Sequence, residues 1–227
     1  MVGAPHHRAA DLRIFVPGYT VLGRAWDDAR MITFQGRGIE SGAPVLVKTP
    51  KARPPPAEDL LALQRDYDIG ASFRSPGILS ALAHLRHGDT EYLVLPDNGL
   101  RPAGEILLIE RQGIALCLEF AVRLASILDG LHRAQIIHKN LNPYSVWFDL
   151  RSLETQVGDF SLAVRSGERA PAPQTLTQAQ GDPRYIAPEQ TGRIPRGADP
   201  RTDLYSLGAL LYQVVTGRPP FDGTEVL

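Results

Sequence analysis

Residues 136–146 read IIHKNLNPYSV, and they decide how the rest of the chain is interpreted. Two shorter segments follow them, VGDFS at residues 157–161 and YIAPE at residues 185–189. Upstream lies VLVK at residues 45–48, and downstream lies DLYSLG at residues 203–208. A single short motif is weak evidence for a fold, but several motifs in a fixed order supply the context that makes them specific. The order of these segments is therefore the strongest signal in the sequence.

The composition is that of an ordinary soluble chain, with 227 residues of which 43% are hydrophobic and 22% are charged. This length accommodates one domain with a sizeable core or two small lobes. The formal net charge of −1 gives no electrostatic reason to expect nucleic acid or an acidic membrane as a partner. No apolar run approaches the ~18 residues of a membrane-spanning helix, and the first residues lack the apolar core of a signal peptide.

The chain contains one cysteine, Cys117, which excludes a framework of internal disulfides. Cys117 lies within an apolar helical run, so we expect a buried packing residue and not a nucleophile. A lone cysteine fits a reducing compartment. Together with the absence of a signal peptide, it predicts a cytoplasmic protein.

Taken in order, the first three segments resemble the catalytic loop, the metal-binding DFG segment and the APE end of the activation segment of protein kinases. The resemblance implies an α+β, two-lobed kinase fold that uses ATP and Mg²⁺ and acts on a protein hydroxyl. It predicts a flexible leader at residues 1–18 and a β-rich N-lobe at residues 19–99. A helical C-lobe at residues 100–227, incomplete at its C-terminus, would follow and would connect to downstream domains of a longer protein.

In the N-lobe, Lys48 matches the family lysine that holds the α- and β-phosphates of ATP, and we expect it to end its strand. A helix is predicted from residue 57 to about residue 73. Counting back from Pro76, the helix residue that pairs with the lysine is Asp66, where the family has a glutamate. Because aspartate is one methylene shorter, the ion pair is expected to be stretched, and Asp68 is an alternative partner.

The turn that covers the phosphates in the family is rich in glycine, because glycine lets backbone N–H groups approach the nucleotide. The corresponding stretch here has one glycine, Gly23, at its start. Asp27 and Asp28 are expected where the phosphates would lie. Two carboxylates repel phosphate unless a metal, or Arg24 and Arg30, offset their charge. This departure predicts weak ATP binding.

Residues 92–99 read as a strand that runs into the hinge between the lobes. Leu95 is expected to form the back of the adenine pocket. Pro96 removes one backbone donor. Groups at Asp97 and Asn98 are then predicted to meet the edge of the adenine ring.

The catalytic loop departs from the family pattern at several positions. Asn140 stands where the family has the aspartate that accepts the substrate proton, and an amide cannot accept it as a base. Asn142 replaces the lysine that steadies the transferring phosphate. Ser145 replaces the asparagine that binds a second Mg²⁺, and is a weaker oxygen ligand. Asp159 is retained and matches the aspartate that holds the bridging Mg²⁺.

The positions that support the loop are retained, and they are His138, Phe160, Glu189 and Asp203. The helix that delivers the loop is predicted at residues 113–134, with an apolar face formed by Ile114, Leu118, Ala121, Leu124, Ala125, Leu128 and Leu131. His132 is expected to be a helix-end residue and not a ligand. The arginine that pairs with Glu189 in the family would lie in helices beyond Leu227.

Asp182 stands where the family has a threonine that contacts the catalytic aspartate. Of these two positions, residue 182 carries the carboxylate here and residue 140 carries an amide. Asp182 is therefore a candidate for a displaced base. The alternative is that both positions drifted once catalysis ceased to matter. The displaced-base hypothesis fails if Asp182 is tied to Arg184 or points to solvent.

A narrower resemblance links the chain to the serine/threonine-kinase-like domains at the N-terminus of large bacterial multidomain sensor histidine kinases. Those domains have His-Lys-Asp-Ile-Asn-Pro in the loop, so Lys139 and Asn142 match their habit. Asn140 and Ser145 depart even from that pattern.

Three functions remain open from the sequence. The first is a pseudokinase-like regulatory module of a larger signalling protein that binds Mg·ATP with impaired or absent phosphotransfer. The second is an active serine/threonine kinase that transfers the γ-phosphate to a protein hydroxyl. The third is a scaffold that binds no nucleotide.

Overall fold

The computed structural model describes residues 14–28, 30–107, 112–167, 181–192, 194 and 196–221. These residues form two compact units. The first comprises the chain up to Tyr67 together with Ser80–Asn98, and the second comprises Asp68–Leu79 together with the chain from Gly99 onward. Residues 1–13 of the predicted leader lie outside the described part of the chain.

The described strands of the first unit are β1 (Tyr19–Asp27), β2 (Met31–Gly38), β3 (Pro44–Pro50), β4 (Ala83–His87) and β5 (Thr90–Pro96). They form one antiparallel sheet in the order β1-β2-β3-β5-β4. Residues two apart on a strand share a face, so Val45 and Val47 on β3 pack with Tyr92 and Val94 on β5. Val16, within the segment predicted as a leader, is buried in this same cluster.

Lys48 lies inside β3, so the prediction that it ends the strand is wrong. It pairs with Thr33 of β2, and the strand continues to Pro50. The reason is Thr49, a β-branched residue that is fully buried and whose hydroxyl donates to the carbonyl of Glu91 at 2.8 Å. Lys48 is paired with a strand on each side, with Thr33 of β2 and with Leu93 of β5.

Helix α1 covers Ala57–Ser72, close to the predicted span. Glu58 and Asp59 lie in its first turn, where negative charge complements the partial positive charge of the helix N-terminus. Arg30 Nε also donates to Asp59 Oδ1 at 2.5 Å, which ties the start of the helix to the β1–β2 turn.

The second unit contains, among its described residues, α2 (Ala103–Ile106), α3 (Ile114–Arg133), α4 (Pro200–Thr216), β6 (Arg101–Pro102), β7 (Ile136–Ile137), β8 (Val146–Phe148), β9 (Thr155–Val157) and β10 (Val164–Arg165). Strands β6, β8 and β9 form one small antiparallel sheet, and β7 pairs with β10. The short strands bring the loop after β7 beside the loop after β9.

Helix α3 carries the core of the second unit, and its buried residues are Cys117, Phe120, Leu124, Leu128 and Leu131. Leu124, Leu128 and Leu131 of the predicted face are buried, whereas Ala125 and the first half of the face are not. Ile114 and Leu118 are 64% and 60% exposed. The bulky Phe120, fully buried, sets the face instead, one position away from the predicted stripe. The burial predicted for Cys117 is confirmed, and it raises the pKa of the thiol.

Helix α4 begins and ends at residues suited to those positions. The side chain of Asp199 accepts a hydrogen bond from the N–H of Arg201 at 2.9 Å, and Pro200 occupies the first helical position. Gly217 follows the helix with φ of 78°, a conformation that costs glycine little. These caps fix the register of the helix and hence the inward position of Asp203.

The predicted fold class is confirmed. A β-rich first unit and a helical second unit give the α+β architecture of a kinase-like fold, with a small helical part. No helix within the described residues is long and apolar enough to cross a membrane.

Candidate active site

The Lys48 ammonium and the Asp66 carboxylate form an ion pair, with Nζ 3.3 Å from Oδ2. The side chains are 13% and 4% exposed, so the contact is largely shielded from water. The distance is long for a charged hydrogen bond, as expected for the short aspartate side chain. Asp68 is exposed. The predicted pairing of Lys48 with Asp66 is thus present, while their contact with nucleotide stays a prediction.

Both carboxylates that were expected to repel phosphate have partners near the β1–β2 turn, and those of Asp27 are cations. Asp27 forms ion pairs with Lys51 and Arg24, and hydrogen bonds from Lys51 first and then Arg24 lower the pKa of its carboxyl. Asp28 Oδ1 accepts a hydrogen bond from the backbone N–H of Arg30 at 2.7 Å, which closes the turn. Arg24 thus offsets the charge of Asp27, as predicted. Arg30 instead binds Asp59 of α1. The contribution of Lys51 was not predicted.

The predicted adenine-binding segment follows β5. Leu95 is buried and pairs with Leu46 of β3. The N–H of Asp97 donates to the carbonyl of Pro44 at 3.2 Å, so this donor is already engaged within the sheet. The Asp97 carbonyl and the polar groups of Asn98 are still predicted to contact the edge of the adenine ring.

Asp203 of α4 holds the backbone of the catalytic loop. Its side chain is fully buried and accepts hydrogen bonds from the N–H groups of His138 at 2.9 Å and Lys139 at 2.8 Å. His132 at the end of α3 contacts the same carboxylate, with Nε2 2.8 Å from Oδ2. The predicted support by Asp203 is confirmed. The role of His132 was missed, although a histidine in the last turn before the loop was a usable signal.

His138 connects the loop to the DFG segment. Its Nε2 lies 2.9 Å from the carbonyl of Gly158, and its Nδ1 lies 3.2 Å from the backbone N of Asn140. A carbonyl can only accept and an N–H can only donate, so in this arrangement Nε2 donates to Gly158 and Nδ1 accepts from Asn140. The buried Phe160 ring packs edge-on against it, with 5.1 Å between centroids.

Asn140 is directed at Asp159. Its side-chain Nδ2 donates to Asp159 Oδ2 at 2.8 Å. Asp159 has φ and ψ of 61°, a left-handed conformation that is uncommon for a residue with a side chain. The position that carries a proton-accepting carboxylate in the family therefore carries a hydrogen-bond donor here.

Asn142 and Ser145 build the turn that follows. Asn142 Oδ1 accepts from the N–H of Tyr144 at 2.8 Å, and Asn142 Nδ2 donates to the carbonyl of Asn140 at 2.8 Å. The Ser145 hydroxyl is fully buried, accepts from the N–H of Asn142 at 2.9 Å and donates to its carbonyl at 3.1 Å. The hydroxyl of Ser145 thus stabilises the turn, and its predicted role as a metal ligand stays a prediction.

Asp182 is bound to Arg184. The guanidinium donates from Nε at 2.9 Å and from Nη2 at 2.5 Å, and this hydrogen bonding raises the pKa of Arg184. The Asp182 carboxylate also accepts from the backbone N–H of Arg184 at 3.1 Å. The displaced-base hypothesis for Asp182 fails by this criterion, because the carboxylate is committed to a neighbouring cation.

Glu189 has its own partners within the described residues. Its buried carboxylate accepts from the Thr202 hydroxyl at 2.7 Å and from Arg196 Nη2 at 3.3 Å. The neighbouring Gln190 donates to the carbonyl of Lys139 at 2.8 Å, which joins this segment to the catalytic loop. The sequence did not point to Arg196 or Gln190, since the expected arginine partner was assigned to a later part of the protein.

The donor set limits the metal that the site can hold. Within the described residues no cluster of three or more histidine, cysteine, aspartate or glutamate side chains is placed to hold an ion. Mg²⁺ commonly binds through one or two carboxylates together with substrate phosphates and water. Asp159 therefore fits one Mg²⁺ shared with nucleotide phosphates, and the role of Ser145 toward a second stays a prediction.

Comparison with known proteins agrees with this geometry. The family model described as protein kinase domain matches residues 34–226. The inactive serine/threonine-protein kinase PLK5 of Mus musculus is 31% identical over 160 residues, which is 70% of this chain and 26% of that protein. The serine/threonine-protein kinase PksC of Streptomyces coelicolor is 35% identical over 143 residues, 61% of this chain and 25% of that protein.

A further relative is the serine/threonine-protein kinase fused of Drosophila melanogaster, 27% identical over 184 residues, which is 81% of this chain and 22% of that protein. The chain thus spans about a quarter of the length of these curated relatives. The family match covers β3 to β5, the catalytic loop and α4, and the chain belongs to the protein kinase domain family.

Proposed function

We propose that this kinase domain binds Mg·ATP and transfers its γ-phosphate slowly or not at all, as a regulatory module of a larger signalling protein. The observation that carries the proposal is the hydrogen bond from Asn140 Nδ2 to Asp159 Oδ2. A group that donates toward the metal-binding carboxylate is not positioned to take a proton from a substrate.

The cost of losing the base follows from its normal contribution. A positioned general base contributes about 10²- to 10⁴-fold to the rate. An amide has no lone pair basic enough for that role. The side-chain oxygen of Asn140 is also engaged, because Oδ1 accepts a hydrogen bond from Asn142 Nδ2 at 3.3 Å. Asn140 is therefore expected to orient a hydroxyl at most.

The neighbouring carboxylate does not replace it. Asp182 is bound by Arg184 through two guanidinium nitrogens. This carboxylate is therefore engaged by a neighbouring cation. This supports impaired phosphotransfer over the displaced-base alternative.

Nucleotide binding is supported by different residues. Lys48 of β3 is paired with Asp66, and the family uses this lysine on the α- and β-phosphates. Asp159 matches the family aspartate that holds the bridging Mg²⁺ and would hold it here. In the β1–β2 turn, Lys51 and Arg24 offset Asp27. These features favour ATP binding over the scaffold function, which would bind none.

The relatives include a protein named inactive and others named as kinases, so their names support both an inactive and an active domain. The active-kinase alternative has one structural observation in its favour, namely that Asp203 and His138 hold the loop as an ordered frame. The proposal has further parts. We propose a cytoplasmic location, a protein substrate and downstream domains of the same protein as partners. We also propose that the domain is related to the N-terminal domains of bacterial sensor histidine kinases.

The test separates binding from transfer in the full-length protein. Thermal unfolding is measured with and without Mg·ATP, because a ligand that binds only the folded state raises its stability. Transfer from labelled ATP to the protein and to a generic basic substrate is measured in parallel. We expect a rise in melting temperature at millimolar ATP with transfer near background. A normal transfer rate supports the active kinase, and no thermal shift supports the scaffold.

A further inference from the structure

The side chain of Asn140 closes a ring of hydrogen bonds between the catalytic loop and the DFG segment. Its backbone N–H donates to His138 Nδ1 at 3.2 Å, and His138 Nε2 donates to the carbonyl of Gly158 at 2.9 Å. The next residue, Asp159, accepts from Asn140 Nδ2 at 2.8 Å. The ring therefore depends on a hydrogen-bond donor at the tip of residue 140.

An aspartate at position 140 would break this ring at one contact. Asparagine and aspartate have the same shape, so a carboxylate oxygen would replace Nδ2 beside Asp159 Oδ2. Two ionised carboxylate oxygens at this distance repel each other. Neither can donate a hydrogen bond to the other, because ionised carboxylates only accept. A cation between them would be needed to restore the attraction.

The conformation of Asp159 makes this contact consequential. Its φ of 61° lies in the left-handed region, which a residue with a side chain enters only when its surroundings hold it there. The hydrogen bond from Asn140 is one of the contacts that hold the carboxylate. A repulsive contact at the same point would act directly on a strained part of the backbone.

We infer that Asn140 is a positioning residue. In the nucleotide-free protein its amide stabilises the Asp159 carboxylate, as a divalent cation would if residue 140 were also a carboxylate. The DFG segment then keeps its conformation without metal, and Mg²⁺ alone does not stabilise the protein. This inference goes beyond the proposed function, because it concerns the protein without nucleotide and does not require that ATP bind.

The test is the response of the melting temperature to MgCl₂ in the full-length protein without nucleotide, relative to EDTA at matched ionic strength. We expect the wild-type value to change by less than about 1 °C, the size expected when no ligand binds the folded state. Asn140→Asp should melt roughly 3–8 °C lower in EDTA, given the cost of losing a partly buried hydrogen bond and placing two carboxylates together. MgCl₂ should recover most of that loss.

Two further variants keep the inference falsifiable if Asn140→Asp does not fold in EDTA. The double variant Asn140→Asp with Asp159→Asn reverses the donor and the acceptor, so it should fold without metal and ignore MgCl₂. Asp159→Asn alone is the control that lacks any carboxylate at this contact, and it should also ignore MgCl₂.

Three results would overturn the inference. One is a wild-type protein that MgCl₂ stabilises as much as it stabilises Asn140→Asp. Another is an Asn140→Asp variant as stable as wild type in EDTA. The third is a double variant that remains as unstable as Asn140→Asp in EDTA. A failure of ATP to bind would contradict the proposed function and leave these readouts unchanged.

Discussion

His132 Nε2 lies 2.8 Å from Asp203 Oδ2, which links the end of α3 to the buried carboxylate of α4. The same carboxylate accepts from the backbone N–H groups of His138 and Lys139. One fully buried side chain therefore joins two helices and the catalytic loop.

Replacing Asp203 with alanine should be strongly destabilising. The change removes the acceptor from three donors, and each buried donor left unpaired costs about 1–3 kcal/mol. We expect the free energy of unfolding in urea to fall by at least about 3 kcal/mol. The matched variant His132→Ala removes one of these bonds and should cost about 1 kcal/mol. Equal losses for the two variants would contradict the central role of Asp203.

The Lys48–Asp66 pair should matter for ATP and less for the fold. Lys48→Met removes the charge that would meet the phosphates, so the ATP-induced thermal shift should disappear. Asp66→Ala leaves the lysine unheld and should weaken ATP binding roughly tenfold, about 1.4 kcal/mol. Asp66→Glu is the matched control, because its extra methylene can shorten the 3.3 Å contact, and it should bind ATP at least as well as wild type. An unchanged shift in Lys48→Met would remove this lysine from the site.

Glu189 tests whether a local arginine anchors the APE segment. Arg196→Ala should lower the free energy of unfolding by about 1 kcal/mol, a modest value because Arg196 is 43% exposed. Thr202→Val removes the buried 2.7 Å hydrogen bond to the same carboxylate and should cost about 1–2 kcal/mol. Arg201→Ala, which loses an exposed pair with Asp199, should leave the free energy of unfolding close to that of wild type. If Arg201→Ala costs as much as Arg196→Ala, Arg196 has no special role.

Asp182 provides a check on the identity of the base. Asp182→Asn should leave whatever phosphotransfer the protein has within about twofold of wild type, whereas loss of a true base costs about 10²-fold or more. Arg184→Ala releases the carboxylate and is the complementary variant, also expected to change the rate little. A rate abolished by Asp182→Asn would revive the displaced base and contradict the geometry.

The sequence predicted the order of the elements well, because motif order and apolar periodicity are local properties of the chain. Lys48 and Asp66 were paired by counting from Pro76, and the distance between their side chains agrees. The support of the loop by Asp203 was likewise readable from its motif. The face of α3 was predicted only in part, since the bulk of Phe120 and not the count of apolar residues decides which side is buried.

The hydrogen bonds of the site could not be predicted, because each depends on side-chain rotation and on residues far apart in the chain. Ser145 was considered only as a metal ligand, and its hydrogen bonds to the backbone of Asn142 were not foreseen. Arg184 was foreseen as a partner that would disable Asp182, but the sequence could not show which way the carboxylate turned. The direction of the Asn140 amide was equally hidden, although it bears most directly on function.

The most direct test of the account is phosphotransfer by Asn140→Asp in the full-length protein with Mg·ATP, compared with wild type and with Asp159→Asn. The altered residue supplies a carboxylate where the frame of Asp203 and His138 is intact, so we predict a gain of about 10²-fold over a wild type near background. Asp159→Asn should stay at background. A wild type that already transfers phosphate at the rate of Asn140→Asp, with both rates lost in Lys48→Met, would contradict the claim that the amide at position 140 disables the site.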